Sequence, residues 1–453
     1  MADTAIPHLA FLAAAVVPRD ALHASGDLSR AEEILAAHPD VAGHDIHTAS
    51  VLGDDVAVRR FLQRDDAAAT QRGGPYGWDA LTHLCFSRYL RLDASRSDGF
   101  VRTATALLDA GASANSGFWE EDHQPRPEWE SVLYGAAGVA HHAGVTRVLL
   151  SRGAEPNDEE VPYHAPEGWD NAALSEILAT GRLSADSLTM MLLRKSDWHD
   201  LEGMRLVLDH GADVNRKGRW GKTILDHALR SDNSIGIFEL LLDRGADPGI
   251  ASDGVTPVAK AARMGRGDVL ELFAQRGGDV ALGGADRLLA ACARSDAAAV
   301  RAAQEHDPLA VRTVLAGGGT FLSTFARVGN RAGVQQLLDL GVDVNATVSQ
   351  GDGYWDIANH STALHAASWR GWPEVAALLL ARGADVNRVD GQGRTPLILA
   401  VRACVASYWR ERRTPEWVQV LLEAGASVEG VPYPCGFDEV DELLRRHGAG
   451  GVS

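Results

Sequence analysis

Residues Thr362–Asn387, TALHAASWRGWPEVAALLLARGADVN, predict two short helices joined by a turn. Thr362 is a good N-cap, and the alanines and leucines after it recur at the spacing of one helix face. Gly371 predicts the end of the first helix. The second helix contains VAALLL, and Gly383 predicts its end because glycine readily adopts the left-handed conformation found at helix C-termini.

The two ends of this stretch recur along the chain, which indicates an internal repeat. Clear copies of its ending lie at Leu107–Asn115, Leu149–Asn157, Val207–Asn215, Leu241–Gly249, Leu337–Asn345 and Leu421–Glu429, and weaker copies end near Asp65, Gly181, Gly277, Asp307 and Gly448. Copies of its beginning lie at Ile46–Asp54, Thr223–Ser231, Thr256–Gly265, Thr320–Asn330 and Thr395–Ala403. Together they predict about twelve helix pairs that stack around one continuous core, since a single pair cannot bury its own apolar face.

The repeat resembles the ankyrin repeat, with T-x-L-H-x-A at Thr362–Ala367 and L-L-x-x-G-A-D-V-N at Leu379–Asn387. The resemblance covers nearly the whole chain. It implies an all-α solenoid of about twelve helix-turn-helix units with projecting β-turn fingers, some of them expanded. In ankyrin proteins the fingers and the first helices line a concave binding surface, so the resemblance implies such a surface here.

Two similar segments suggest a division of the repeat array. Ala31–Ala42 and Val300–Val311 both lack the usual Gly-Ala ending, and RGGDVALGGAD (Arg276–Asp286) precedes the second. We therefore expect an N-terminal array with long finger insertions at residues 1–280 and a C-terminal array, continuous with the first, at residues 281–453.

Charge and cysteine content limit the classes of binding partner and the cell compartment that we expect. The formal net charge of −18 argues against nucleic acid and anionic membranes, since both are polyanions. The four cysteines have neither zinc nor disulfide spacing, which favours the cytoplasm. Phe11–Val17 is short and lacks a basic lead-in, so no signal peptide is expected, and no segment has the length of a membrane span. The arginine bias and the abundant alanine and glycine suggest a GC-rich, bacterial source.

Gly73–Phe86, GGPYGWDALTHLCF, raises the question of a catalytic Cys-His pair. Asp79 takes the place of the capping threonine, so DALTHLC is the first helix of a unit. Side chains two residues apart on a helix point about 200° apart, so His83 and Cys85 cannot form a nucleophile–base pair. Cys85 is predicted to be a buried thiol. His83 and His227, at equivalent positions of their units, are predicted to point toward the inner surface.

Three fingers are longer than a structural turn requires: Asn115–Glu130, Asn157–Asp170 and Asn345–Ser361. Five tryptophans lie on or next to fingers, at Trp78, Trp129, Trp169, Trp220 and Trp355. One hypothesis is that they pack the fingers onto one another in small satellite cores. The other is that they line a groove for a ligand or partner, because tryptophan is a preferred anchor in binding surfaces. Both hypotheses can hold, for different residues.

Arginine recurs just after the alanines of several first helices, at Arg230, Arg263, Arg327 and Arg402, and Trp369 has the same place in its own unit. Stacked units would align these side chains as a partial ladder on the concave side. They are expected either to form solvated or inter-repeat ion pairs, or to make a positive stripe suited to carboxylates or phosphates through fork-shaped hydrogen bonds.

No motif for catalysis, phosphate binding or zinc binding occurs in the sequence, so no metal or cofactor is expected. The resemblance implies a non-catalytic scaffold that binds another protein or a peptide with its concave face and its tryptophan-rich fingers. The alternative is an enzyme or small-ligand receptor whose expanded fingers close a pocket. Convergence of the fingers on one cavity would favour the alternative, and fingers spread along the solenoid would favour the scaffold.

Overall fold

The computed structural model describes residues 6–18, 23–277, 281–407 and 412–450. Contacts within the chain divide it into two compact units, Met1–Trp220 (unit 1) and Gly221–Ser453 (unit 2). The boundary predicted near residue 281 therefore lies inside unit 2. There the helix Pro257–Arg263 packs directly on the helix Gly284–Ala293, so the stack of helices continues through the predicted boundary.

Unit 1 consists of short helices and one two-stranded hairpin. Its α-helices are α1 (Pro7–Ala15), α2 (Ser29–Ala37), α3 (Ile46–Val51), α4 (Asp55–Leu62), α5 (Ala80–Cys85), α6 (Arg88–Leu92), α7 (Ser97–Asp109), α8 (Val132–Tyr134), α9 (Ala143–Ser151), α10 (Glu160–His164), α11 (Ala172–Leu178), α12 (Ala185–Asp197) and α13 (Leu201–Asp209). Short 3₁₀ segments lie at Pro39–Gly43, Asp66–Ala69 and Ala94–Arg96, and a π-helical turn lies at Gly135–Val139.

The hairpin of unit 1 lies in the first expanded finger. Its antiparallel strands are β1 (Gly117–Glu120) and β2 (Glu128–Ser131), and Trp119 lies opposite Trp129. Because side chains alternate between the two faces of a strand pair, these tryptophans share one face. Elsewhere in the described ranges β pairing is limited to isolated bridges, so the prediction of a mostly helical chain is confirmed.

Unit 2 is a stack of helix pairs. Its α-helices are α14 (Ile224–Arg230), α15 (Ile235–Asp243), α16 (Pro257–Arg263), α17 (Gly267–Gln275), α18 (Gly284–Ala293), α19 (Ala297–His306), α20 (Pro308–Ala316), α21 (Gly318–Arg327), α22 (Arg331–Leu340), α23 (Ala363–Arg370), α24 (Pro373–Ala381), α25 (Pro396–Ala406), α26 (Glu416–Glu423) and α27 (Asp438–Arg446). A 3₁₀ turn lies at Gly353–Trp355.

Two layers of helices make up the repeats of unit 2. The first helix α23 packs between α21 and α25, and the second helix α24 packs between α22 and α26. Leu364, Leu379 and Leu397 are fully or almost fully buried between these elements.

Among the described residues no single helix is long and apolar enough to cross a membrane. Helices α20 and α21 meet that test only when they are joined across a bend of 73°.

Capping side chains start the first helices, as the sequence predicts. The carboxylate of Asp79 accepts the N–H of Thr82 at 2.8 Å and so caps α5. At the start of α23 the N–H of Thr362 donates to Nδ1 of His365 (3.1 Å). Nε2 of His365 donates to the backbone oxygen of Arg394 in the next repeat (3.1 Å). Hydroxyl caps of the predicted kind are made by Thr223, Thr256 and Thr395.

Glycine ends the helices where the sequence places it. Gly371 (φ 71°) follows α23, and Gly383 (φ 87°) follows α24 after one residue. Both lie in the left-handed region, in which a side chain is strained. The predicted helix ends are confirmed.

The last asparagine of a repeat connects one helix pair to the next. The Asn345 side chain donates to the backbone oxygen of Gly383 (3.1 Å) and accepts the N–H two residues later (2.9 Å). In unit 1 Asn115 makes the same two bonds to the segment that starts at Gly153 (3.2 and 2.8 Å). This bridge explains why the repeat ends in asparagine.

Candidate functional site

A pocket of about 680 Å³ lies in unit 2. Helices α14, α16 and α21 form one side of it, and the expanded finger at residues 345–361 forms the other. Its cationic lining is Arg230, Lys260, Arg263 and Arg327, its hydroxyl lining includes Thr320, Ser323 and Thr324, and its aromatic lining is Phe321 and Trp355. The arginine ladder and the tryptophan of one expanded finger therefore meet in a single cavity.

Three of the four cations on the pocket wall are already paired with carboxylates of the protein. These pairs hold the side chains in place and reduce the positive charge that a ligand would meet. The pairs are Arg230 with Asp352 (3.2 Å), Lys260 with Asp226 (3.0 Å) and Arg263 with Asp286 (2.7 and 2.9 Å).

Arg327, at the end of α21, differs from these three. The residue is 8% exposed, and its guanidinium makes no hydrogen bond or ion pair with any other described residue. The guanidinium carbon lies 4.6 Å from the ring centre of Trp355, within the range of a cation–π contact. Burial lowers the pKa of Arg327, which is the expected result when a charged group loses its water.

A buried ion network supports Trp355 in unit 2. Arg370 lies 4.8 Å from the Trp355 ring and binds the carboxylate of Asp232. The other oxygen of that carboxylate accepts Nη1 of Arg266 at 3.1 Å. All four side chains are almost completely buried, so the position of Trp355 is set by packing and by charge together.

The finger that forms the pocket wall is folded against helix α14. Asp352 and Ile357 exchange backbone hydrogen bonds (2.8 and 3.1 Å), which closes the finger into a tight loop. At the tip of this loop the Tyr354 hydroxyl lies 3.1 Å from that of Ser231, and the Arg230 guanidinium lies 5.0 Å from the Tyr354 ring. The finger thus folds back against α14 and forms one wall of the pocket.

The structure brings four of the predicted binding residues together and leaves the other three of unit 2 outside. Arg230, Arg263, Arg327 and Trp355 line the pocket. His227 is buried in α14, and Trp369 is buried in α23, 8% exposed. Arg402 pairs with Asp356 at 2.9 Å and lies over Trp369. The hypothesis of ion pairs describes Arg230, Arg263 and Arg402, and of the predicted positive stripe only Arg327 keeps a charge that no described residue compensates.

In unit 1 Trp78 and His83, two of the predicted binding residues, are buried instead of lining an open surface. Trp78 is 3% exposed and stacks on Phe118 of the hairpin at 4.4 Å, and His83 is completely buried. The reason is the finger before α5, which folds back onto the helix: a Cβ on Gly74 would lie 2.7 Å from the His83 ring. Burial lowers the pKa of His83 to about 4. These residues form a satellite core, the first of the two hypotheses for the fingers.

Cys85 is completely buried, so the prediction of a core thiol is confirmed. Burial raises the pKa of the Cys85 thiol well above its ordinary value, which leaves almost no thiolate at neutral pH.

The remaining predicted tryptophans of unit 1 keep part of their surface exposed. Trp129 is half-buried and lies edge-on against Trp119 at 5.3 Å. Trp169 and Trp220 are 44% and 42% exposed. Their binding role stays a prediction.

Sequence reasoning missed Lys260 and Ser323. Lys260 lies three residues before Arg263 on α16, and Ser323 lies four residues before Arg327 on α21, so each shares a helix face with a predicted arginine. That spacing was a usable signal. The pairing of Asp352 with Arg230 could not be predicted from the sequence, because the two residues are far apart along the chain.

A second polar cluster lies in unit 1, on the inner face of the hairpin. Glu130 is 1% exposed, and no described residue is a hydrogen-bond partner of its Oε2; Nδ1 of His23 lies 3.8 Å away. Burial, followed by the charges of Glu160 and Glu120, raises the pKa of Glu130 to about 9. The Glu130 carboxyl is therefore protonated at neutral pH.

His164, on α10, belongs to the same cluster. It lies between Glu160 (3.1 Å) and Glu167 (3.3 Å). Burial disfavours its charged form, but the hydrogen bonds to these carboxylates outweigh burial and raise the pKa of His164 to about 9. A protonated carboxyl and a protonated imidazole therefore share this cluster at neutral pH.

Among the described residues, one group of possible metal ligands lies near the start of unit 1. The ligand atoms of His8, His44 and Asp45 lie within 4.8 Å of one another. The two imidazole rings are stacked, 3.9 Å apart and 19° from parallel, so their in-plane lone pairs do not converge. Asp45 already accepts the N–H of Thr48 at 2.8 Å. This arrangement is unsuited to binding one ion.

Comparison with known proteins identifies part of the stack. Residues 322–430 match the family model for ankyrin repeats, in three copies. These residues are ankyrin repeats. The finger of the pocket and most of the α21 lining lie within the matched region, whereas Arg230, Lys260 and Arg263 precede it.

Several curated proteins are similar to parts of the chain. Transient receptor potential cation channel subfamily A member 1 of Homo sapiens is 29% identical over 321 residues, 62% of this chain and 23% of that protein. An L-asparaginase of Dirofilaria immitis is 29% identical over 206 residues, 42% of this chain and 32% of that protein. Serine/threonine-protein kinase 12 of Arabidopsis thaliana is 38% identical over 84 residues, 18% of this chain and 16% of that protein. The chain spans less than a third of each.

Proposed function

We propose that this chain is a non-catalytic binding scaffold whose unit 2 pocket takes a segment of a partner protein. One observation carries the proposal. Residues from α14, α16, α21 and an expanded finger, four of them predicted as binding residues, line one pocket. Ankyrin repeats form extended binding surfaces, and a pocket lined by an aromatic residue is suited to an anchoring side chain.

The proposal extends the ankyrin repeats beyond residues 322–430, to about twelve units along the chain. The asparagine bridges support it. The bond from Asn115 to Gly153 in unit 1 reproduces the bond from Asn345 to Gly383 within the matched region. The caps of α5 and α14 likewise resemble the cap of α25.

The chemistry of the pocket favours binding over catalysis. Its lining supplies cations and hydroxyl groups suited to binding, and its lysine is held in an ion pair with Asp226 instead of being available as a nucleophile. In this proposal the partner is a protein, not nucleic acid or a membrane, in keeping with the net charge of −18. The proposed location is the cytoplasm, where four free thiols are stable.

A small-ligand receptor is the second candidate. The observation that favours it is the finger, which is attached to α14 through Asp352 and Tyr354 and forms a wall of the pocket. The two candidates differ in what fills the pocket. A small ligand would be retained during purification and detected by native mass spectrometry, and a partner protein would be crosslinked from the pocket wall.

The test uses a photo-crosslinking amino acid at Thr320, an exposed position of the pocket lining, in the full-length protein in its native cells. We expect one protein to be crosslinked there. The matched position is Thr313, which is exposed on α20 and does not line the pocket. Crosslinking of the same proteins from both positions, or of none from Thr320, would contradict the proposal.

A steric variant gives the quantitative measurement. Thr320→Trp fills the mouth of the pocket and is expected to lower the affinity for the crosslinked partner by about tenfold or more, while Thr313→Trp leaves it unchanged. Thermal melts of both variants separate lost binding from lost folding.

A further inference from the structure

Arg327 is the only pocket-lining cation, within the described residues, that lacks a carboxylate partner. Asp232 and Asp352, the acidic groups whose charges act on it, are already bound to other arginines. The pocket wall therefore has one uncompensated positive charge.

This charge is buried beside the Trp355 ring. Nε of Arg327 is inaccessible to water and has no hydrogen-bond partner in the described part of the chain. A buried cation without a partner is costly, and an anion that entered the pocket would relieve that cost. The guanidinium carbon lies 4.6 Å from the ring centre of Trp355, and the N–H groups of a guanidinium all lie in its own plane, so an acceptor can bind at the edge of that plane.

Ser323 supplies a second donor beside Arg327. It lies four residues earlier on α21, on the same helix face, and both residues line the pocket. Its hydroxyl makes no hydrogen bond with another described residue. A guanidinium and a hydroxyl one helical turn apart are thus available to one ligand.

We propose that the pocket binds the carboxylate of an aspartate or glutamate side chain of the partner segment, with Arg327 as the fork-shaped donor and Ser323 beside it. The proposal rests on the proposed function, because it names the group that enters the same pocket. A carboxylate is planar, like the edge of a guanidinium, and adds one negative charge where one positive charge is uncompensated. A phosphate would add nearly two.

The experiment selects peptides from a random displayed library on the full-length protein. The best peptide is then measured by fluorescence anisotropy. We expect an aspartate or glutamate at one fixed position of the selected peptides. Changing that residue to its amide, or Arg327→Gln, should each weaken binding by about tenfold or more, and the two changes together should cost little more than either alone.

Three variants control the measurement. Arg382→Gln removes a surface arginine of the same unit that lies outside the pocket and should leave affinity unchanged. Arg327→Lys keeps the charge but not the fork, and should bind more weakly than wild type. Ser323→Ala should weaken binding severalfold and replaces the arginine variants if they fail to fold.

The outcomes separate this inference from the proposed function. Selected peptides that lack a fixed acidic residue but are lost with Thr320→Trp would overturn the carboxylate and leave the binding scaffold standing. A phosphoserine version that binds more than about tenfold tighter than the glutamate version would assign the pocket to phosphate and overturn the inference. Selection of no peptide, or binding unaffected by both Thr320→Trp and Arg327→Gln, would overturn both proposals.

Discussion

The ionisation of Glu130 makes the stability of the folded chain depend on pH. Its pKa is raised from 4.5 to about 9, so between these values the folded chain keeps a proton that the unfolded chain has lost. Stability must then fall as pH rises across this range. His164 acts in the same direction, because its pKa of about 9 makes its contribution complete below pH 6.5 and lost as pH rises through 9.

We therefore predict that the free energy of unfolding decreases between pH 7 and pH 9, and that Glu130→Gln makes this decrease less steep by at most about 1.4 kcal/mol per pH unit, with the largest difference near pH 7. Glutamine keeps the shape of the protonated carboxyl and cannot ionise. Urea unfolding at several pH values gives the slopes. Glu121→Gln, at an exposed position of the same finger, should leave the slope unchanged. Equal slopes for Glu130→Gln and wild type would show that Glu130 does not hold this proton.

Arg327 and Arg230 show how far a residue's role depends on its surroundings. Both occupy the same place in the repeat, yet Arg230 is half exposed and paired with Asp352, and Arg327 is buried against Trp355. The repeat position gives the direction of the side chain. Contacts with the finger determine whether that side chain has a carboxylate partner.

The stability of the end of helix α23 depends on Gly371, which follows the helix, and on helix α26, whose Trp417 packs there. Gly371 and Gly383 have similar left-handed backbones, but a Cβ on Gly371 would lie 2.4 Å from the Trp417 ring, whereas a Cβ on Gly383 would meet nothing within 4 Å. Trp417 is fully buried and donates its ring N–H to the backbone oxygen of Ala400 at 3.1 Å.

The two glycines give a matched pair of variants. Gly383→Ala should lower the free energy of unfolding by about 1–2 kcal/mol through backbone strain alone. Gly371→Ala should cost distinctly more, since the new methyl group also displaces the Trp417 ring. In a Trp417→Ala background, itself destabilised by about 3–5 kcal/mol, the two glycine variants should cost the same. Urea unfolding measures all of these, and equal costs in the wild-type background would refute the contact.

At the scale of the whole molecule, unit 2 contains the complete pocket. A chain of residues 221–453 should therefore fold and bind the selected peptide as the full chain does. A chain of residues 281–453, cut at the array boundary predicted from the sequence, loses α14–α17, including the helix α16 that packs on α18, where Leu288 and Leu289 are buried.

This shorter chain should melt at a lower temperature and fail to bind, because each buried leucine that becomes exposed costs about 1.5–3 kcal/mol and three pocket cations are missing. Circular dichroism melts and peptide anisotropy on the two chains are the measurements. If the shorter chain were as stable as the longer one, the stack would be interrupted near residue 281 after all.

The sequence by itself determined the repeating elements: the helix pairs, the caps at Asp79 and Thr395, and the glycine ends of α23 and α24. Each of these elements depends on residues within one repeat, where backbone conformation and hydrogen bonds are local. A recurring sequence pattern is therefore enough to predict it. The placing of arginines on the first helices followed from the same periodicity.

Only the tertiary structure decided which of these residues form a site. The burial of Trp78 against Phe118, the raised pKa of Glu130 and the pairing of Arg230 with Asp352 all depend on expanded fingers that depart from the repeat. A finger of irregular length folds according to contacts with residues far away in the sequence, and those contacts have no period. Arg327 was therefore recognisable as one of a ladder, but its missing carboxylate partner became visible only when the finger was in place.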